Sequence, residues 1–238
     1  MKRWGHMAKT FTKIGKEITI AVKQGGPDVV GNSRLRALMA EARSENMPKD
    51  NVEKAIKRAL EKNQGDFKEV VFEGYGPHGI AYLVETATDN NTRTVANVRS
   101  YFTKCGGSLG TSGSVSFMFD HKCVFRIKYQ EGMDIDELQL ALCDCDDDPE
   151  VFIEEQEDKD ENITKNVVIY GAYESYGAIQ KYIEDNGYEL VSGGFERIPN
   201  VDLKDVTPEQ RETLDKLTGL LEDDDDVTNV YSTLKPEE

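Results

Sequence analysis

A glycine-rich stretch, CGGSLGTSGSV at residues 105–115, is the first candidate for chemistry in this sequence. Such stretches bind phosphate when their backbone N–H groups stand at the start of a helix. The glycines at 106, 107, 110 and 113 do not give the G-x-G-x-x-G spacing, and no Gly-Lys-Ser/Thr follows them. A helical pattern over 92–104 precedes the glycines, so that the carbonyl end of that helix faces the stretch. The sequence therefore argues against a nucleotide-phosphate cradle.

Two interpretations of the glycine stretch stay open. In the first, Gly106 and Gly107 end the helix, and the stretch connects it to a strand over 113–119. In the second, exposed N–H and hydroxyl groups, including the hydroxyl of Ser112, bind the phosphates and riboses of a nucleic acid.

The histidines and cysteines do not form a recognisable catalytic or metal-binding pattern. Cys143 and Cys145 lie in CDCDDD, closer together than a C-x-x-C pair, and no second ligand cluster accompanies them. His78 lies in a Gly/Pro hinge with neither a nucleophile nor a carboxylate placed beside it by the sequence. We therefore predict no enzyme activity, no metal, no cofactor and no small-molecule substrate.

The charge is divided unevenly along the 238 residues. Residues 1–66 carry 14 Lys/Arg and 8 Asp/Glu, a net charge of +6, whereas the other 172 residues carry 15 and 37, a net charge of −22. This division predicts a basic module for a polyanion on an acidic body. Neither a membrane-spanning run nor a secretory signal is recognisable, which favours the cytoplasm and no membrane partner.

The basic segment is typical of three helices with apolar inner faces. Residues Phe11, Ile14, Ile18 and Val22 recur at helical spacing in the first helix. The second helix follows Asn32 or Ser33, and the third opens at Pro48. The predicted buried face of the third consists of Val52, Ile56 and Leu60.

The rest of the sequence predicts an α+β fold. Residues 77–130 give a β-α-β-β order and 199–238 an α-β ending, and neither half buries its apolar surface alone. The sequence between these two segments predicts a second β-α-β order of elements. We predict three domains: 1–76, a basic helical domain; 77–130 with 199–238, a discontinuous α+β domain; and 131–198, an inserted acidic α+β domain, with both α+β domains ferredoxin-like.

The helix over 92–104 combines an apolar face with a polar stripe. Val95, Val98 and Phe102 face inward, which leaves an outward stripe that is either a solvated face or a binding surface. The stripe consists of Arg93, Asn97, Ser100 and Lys104. Arg93 at a helix start gains nothing from the dipole, which favours an acceptor outside the protein. The complete set of predicted nucleic-acid-binding residues is Lys9, Lys13, Lys16, Arg34, Arg36, Arg43, Lys49, Lys54, Lys57, Arg58, Arg93, Asn97, Arg99, Lys104 and Ser112.

Three segments, NMPKDNVEKAIKR, GYGPHGIAYLVETATDNNTRTVANVR and GGSLGTSGSVSFMF, resemble the YebC/PmpR family of bacterial gene-expression regulators. The resemblance extends over nearly the whole chain. It implies a helical domain followed by two α+β domains without a known catalytic centre. The family usually begins with a longer basic arm. Either that arm is missing from this sequence or binding here depends on other residues.

The resemblance implies two alternative functions. In both of them the chain is a non-enzymatic nucleic-acid binder. The usual family label implies a DNA-binding transcriptional regulator, although no helix-turn-helix is recognisable in the sequence. The family also includes a mitochondrial translational activator and is linked to ribosomes that stall on proline-rich peptides. This link implies a ribosome-associated factor that binds ribosomal RNA by shape and backbone.

Overall fold

The structure is a computed structural model that describes residues 2–61, 66–157 and 163–237. By their internal contacts the residues form two compact units. Unit 1 comprises Met1–Ile20, Glu53–Asp120 and Arg197–Glu238, and unit 2 comprises Ala21–Val52 and His121–Glu196.

The N-terminal segment is helical, as its apolar spacing predicts. It forms α1 (Lys2–Gly25), α2 (Ser33–Ser44) and α3 (Lys49–Leu60). The side chain of Asn32 caps α2 by accepting a hydrogen bond from the Leu35 N–H. In α3, Val52 and Ala55 are buried. The prediction that Leu60 lies on the buried face is wrong, because Leu60 is the last residue of the helix and is 58% exposed.

The described part of the chain continues with two sheets and four further α-helices. In chain order the elements are β1 (Lys68–Tyr75), β2 (Ala81–Thr88), α4 (Asn91–Lys104), β3 (Ser108–Leu109), β4 (Phe119–Lys128), α5 (Ile135–Leu142), β5 (Glu150–Glu157), β6 (Ile163–Ala172), α6 (Tyr176–Asp185), β7 (Leu190–Pro199), α7 (Pro208–Glu222) and β8 (Val227–Ser232).

The first sheet has the strand order β3-β1-β2-β8 and carries α4 and α7. Strands β1 and β2 form an antiparallel hairpin that runs from the pair Lys68 and Thr88 to the pair Tyr75 and Ala81. The core of this layer is apolar: Phe102 of α4 meets the ring of Tyr82 edge-on at 5.9 Å, and α7 contributes three buried leucines. The sheet and its two helices thus bury each other's apolar faces.

The second sheet has the order β5-β6-β4-β7, and its elements follow the chain order β-α-β-β-α-β. This combination is the ferredoxin-like arrangement. Helices α5 and α6 cover the sheet with buried apolar residues such as Leu142 and Ile179, which meet Phe125 and Ile169 of the strands. The predicted α+β class is confirmed.

Some local predictions are confirmed and others are wrong. The predicted capping box of α7 is present, because Thr207 and Gln210 exchange hydrogen bonds between side chain and backbone. The predicted strand over 113–119 is wrong, since residues Ser116–Met118 form a 3-10 turn. Strand β5 was not predicted, because its acidic sequence EVFIEEQE masks the strand pattern.

The predicted division into domains 1–76, 77–130 with 199–238, and 131–198 stays a prediction. The first sheet takes β1 from the predicted helical domain, and the second sheet takes β4 from the segment 77–130. These strands pair with partners from the neighbouring predicted domains, which sequence patterns do not reveal.

Candidate nucleic-acid interface

Three predicted binding lysines lie on one face of α1 and contact the chain between α7 and β8. We call residues 222–226, EDDDD, the acidic segment. Lys9 Nζ lies 2.7 Å from Asp223 Oδ1. Lys13 donates to the carbonyl oxygen of Glu222 at 2.8 Å. Lys13 therefore stabilises the C-terminal end of α7, where carbonyl groups lack intrahelical partners.

The third lysine and the start of α4 meet at one carboxylate. Lys16 Nζ is 2.8 Å from Asp226 Oδ1 and also donates to the carbonyl oxygen of Asp225. Arg93 Nη2 lies 2.6 Å from Asp226 Oδ2 and 3.0 Å from Asp89 Oδ1. Arg93 thus has acceptors within the protein, which the sequence-based argument for an outside acceptor did not anticipate.

The side chain of Asp226 is 5% exposed. It accepts further hydrogen bonds from the hydroxyl groups of Thr94 and Thr88. Burial raises the pKa of Asp226, but the bonds from Lys16, Arg93 and Thr94 outweigh it, so that the pKa lies below its ordinary value. The contact with Asp226, and after it the contact with Asp89, raises the pKa of Arg93.

Further along α4, a second carboxylate of the acidic segment binds polar side chains. Asn97 Nδ2 donates to Asp224 Oδ2 at 3.1 Å, and the hydroxyl group of Tyr101 donates to the same oxygen at 2.9 Å. Burial and the neighbouring Asp224 raise the pKa of Tyr101 to about 12. At Arg93 and Asn97, the predicted outward stripe on α4 is therefore bound by acidic groups of the same chain.

A cavity of about 500 Å³ lies beside these contacts within unit 1. The guanidinium group of Arg58 lies 4.5 Å from the centre of the Phe67 ring. The Nε atom of Arg58 is buried and has no hydrogen-bond partner among the described residues. The lining residues are Thr12, Lys16, Arg58, Phe67, Asp89, Arg93, Asn97, Asp223, Asp224, Asp225 and Asp226. The cavity thus offers cations and an aromatic ring beside carboxylates.

The other predicted residues lie in different surroundings. Arg34 Nη1 donates to Gln24 Oε1, and Arg36 forms an ion pair with Glu184 at 3.0 Å. Lys104 lies 5.9 Å from the centre of the Tyr101 ring. The exposed members of the set are Arg43, Lys49, Lys54, Lys57, Arg93, Arg99, Lys104 and Ser112.

The glycine stretch does bind an anion through its backbone, but the anion is part of the protein. The buried carboxylate of Glu73 accepts hydrogen bonds from the N–H groups of Gly113, Val115 and Ser116 at 2.7–2.8 Å. Burial raises the pKa of Glu73, and these bonds outweigh it and lower the pKa. The N–H groups are thereby satisfied without a strand ladder, which is why residues 113–119 do not form the predicted strand.

The predicted end of α4 is confirmed. Gly106 has a φ of +77°, and the N–H groups of Gly106 and Gly107 donate to the carbonyl oxygens of Thr103 and Phe102. This is a Schellman motif.

Sequence reasoning missed the acidic segment and Glu73. The run of four aspartates, Asp223 to Asp226, was a visible signal, but it entered the argument only as part of the overall negative charge. Glu73 had no such signal, because a single glutamate in a strand does not indicate a loop partner 40 residues away. The structure brings the α1 lysines, Arg93 and Asn97 to the acidic segment.

None of the helices in the described part of the chain combines the length and apolar character that a membrane crossing requires. Among the described side chains, His, Cys, Asp and Glu do not form a group of three or more suited to a metal ion.

The fold and the site define a class: an α+β protein with a helical N-terminal segment that presents basic residues. The chain belongs to the TACO1/YebC family. Residues 1–62 match the family's N-terminal domain, and residues 67–234 match its second and third domains.

Similar proteins cover the chain almost completely. A protein of Parabacteroides distasonis is 59% identical over 237 residues, which is 100% of this chain and 93% of the relative. A protein of Bacteroides thetaiotaomicron is 58% identical over 238 residues, again 100% and 93%. Both carry the name "Probable transcriptional regulatory protein". The crystal structure of a conserved hypothetical protein, Aq1575, from Aquifex aeolicus has a TM-score of 0.77 and 32% identity, covering 97% of this chain and 91% of that one.

Proposed function

We propose that this chain is a non-enzymatic, cytoplasmic regulator of gene expression that binds DNA, a DNA-binding transcriptional regulator of the TACO1/YebC family. The names of the relatives support regulation of transcription. The contact with nucleic acid is the finer part of the proposal, and the exposed basic residues support it.

The observation that carries the proposal is the exposure of two basic side chains of α3 that belong to unit 1, Lys54 and Lys57. Both are exposed, whereas Ala55 of the same helix is buried. A helix with an apolar inner face and exposed lysines can place several charges against phosphates without disturbing its packing.

A second candidate function is a ribosome-associated translation factor that relieves stalling on proline-rich peptides and binds ribosomal RNA. The exposed hydroxyl group of Ser112 and the exposed side chains of Arg99 and Lys104 favour this candidate. Groups of this kind contact backbone and 2′-hydroxyl groups, and recognition of RNA by shape does not need a helix in the major groove.

The test compares Lys54→Gln/Lys57→Gln with Lys68→Gln/Lys216→Gln, which removes two exposed lysines elsewhere in unit 1. Binding of a labelled DNA duplex and of a ribosomal RNA hairpin is measured by fluorescence anisotropy between about 50 and 200 mM salt. We expect the first variant to lower the slope of log K against log salt by up to about 1.8, since each lost phosphate contact changes it by about 0.9.

The control variant should keep the wild-type slope. Equal slopes for the two variants would contradict the binding role of α3. Co-sedimentation with ribosomes in competition with the DNA duplex decides between the candidates: displacement from ribosomes by DNA favours the transcriptional regulator, and retention on ribosomes favours the translation factor.

A further inference from the structure

We propose that the acidic segment is an intramolecular competitor of nucleic acid, which holds the Lys9 and Lys13 part of α1 until phosphates replace its exposed carboxylates. The inference rests on the proposed function and adds a mode of regulation to it. All of its contacts lie within unit 1.

The acidic segment binds side chains of the types that contact nucleic acids. Lys9, Lys13, Lys16, Arg93 and Asn97 come from two helices, and each donates to an oxygen of residues 222–226. All five are groups that typically bind phosphates or sugars. A short acidic segment thus presents to these donors the kind of oxygens that a nucleic-acid backbone would present.

The contacts of the acidic segment differ in strength along its length. Asp226 is buried and is held by Lys16, Arg93 and Thr94, so it belongs to the folded core of the unit. Asp223 is 75% exposed and pairs with Lys9, which is itself 38% exposed. An exposed ion pair of this kind is weak and screened by salt. The exposed end of the segment can therefore yield to a polyanion while Asp226 stays in place.

A cavity beside the exposed aspartates has room for a phosphate group. The cavity of about 500 Å³ adjoins the exposed aspartates and reaches Arg58, whose buried Nε has no hydrogen-bond partner among the described residues. Phosphate oxygens that entered here would approach the guanidinium group of Arg58, while Lys16 stays with Asp226.

The test removes the exposed carboxylates and keeps Asp226. Asp223→Asn/Asp225→Asn is compared with Asp202→Asn/Asp205→Asn, which loses the same charge at exposed positions of unit 1 outside the acidic segment. A short fluorescein-labelled DNA duplex is the probe, and circular dichroism checks that both variants are folded. We expect the first variant to bind about three- to ten-fold more tightly than the wild type at low salt, with a slope steeper by up to about 1.8.

A third variant shows whether the gain acts through the lysines of α1. Adding Lys9→Gln/Lys13→Gln to Asp223→Asn/Asp225→Asn should abolish most of the gain. A gain that persists in this background, or one that Asp202→Asn/Asp205→Asn matches, would overturn the inference and leave the proposed function standing. Failure of every variant and of the wild type to bind nucleic acid would contradict both.

Discussion

The lysines of α1 and the lysines of α3 are alike in residue type and helical spacing but differ in their surroundings. Lys9 and Lys16 form ion pairs with the acidic segment, and the side chain of Lys16 is only 11% exposed. Lys54 and Lys57 are exposed. A positive net charge therefore gives the excess of cations but does not identify which of them are accessible to a partner. In this protein the same residue type stabilises the fold on α1 and faces solvent on α3.

Asp226→Ala should have the largest effect on the α1 side of the comparison. It removes the acceptor of Lys16, Arg93 and Thr94 and leaves Lys16 nearly buried without its carboxylate. Breaking a buried ion pair on one side costs about 3–5 kcal/mol of unfolding free energy. Urea denaturation of the full chain measures the loss.

A control variant and an acid titration test this expectation. Asp223→Ala removes an exposed carboxylate and should cost no more than about 1 kcal/mol. Because the folded-state pKa of Asp226 is lowered, its stabilisation is present above the ordinary value of 3.8 and is lost as pH falls below it. Asp226→Ala should therefore show a shallower loss of stability in that acid range than the wild type. An equally steep loss of stability in the variant would contradict the stabilising role of the ionised Asp226 carboxylate.

An intermediate effect is expected from Lys16→Met, set against Lys57→Met. Lys16→Met leaves the buried carboxylate of Asp226 with one charged partner fewer, which costs about 1.5–3 kcal/mol. Lys57→Met changes an exposed side chain and should alter stability by no more than about 0.5 kcal/mol. Binding should respond in the opposite order, with nucleic-acid affinity reduced more by Lys57→Met. Similar stability losses in both variants would contradict the difference between the bound lysines of α1 and the exposed lysines of α3.

The smallest effect is expected from Ser112→Ala in the glycine stretch. Ser112 is exposed and its hydroxyl group neutralises no phosphate charge, so stability should change by no more than about 0.5 kcal/mol and the salt slope of binding should not change. The neighbouring Gly113→Val is the contrast. Gly113 has a φ of +85° and its N–H group binds Glu73, so that a β-branched residue there should lower the melting temperature clearly. Equal melting temperatures would contradict the requirement for a positive φ at this position.

The sequence by itself determined the features that depend on neighbouring residues. The apolar spacing of α1, the capping box of Thr207 and Gln210 and the glycine end of α4 are all local, because a helix and its caps involve residues within a few positions of one another. The α+β class follows from the same local patterns. Of the proposed binding surface, the exposed lysines of α3 could be predicted in this way.

Only the tertiary structure decided which charged groups meet. Lys9 and Asp223 are 214 residues apart in the chain, and Glu73 is 40 residues before the Gly113 N–H group that it binds. No spacing rule connects such positions. The approach of Lys9 to Asp223 depends on how α7 and β8 join the first sheet, and that of Glu73 to Gly113 depends on the pairing of β1 with β3. The physical reason is that a charge acts over a few ångströms of space whatever the sequence separation, so its partner is set by the fold.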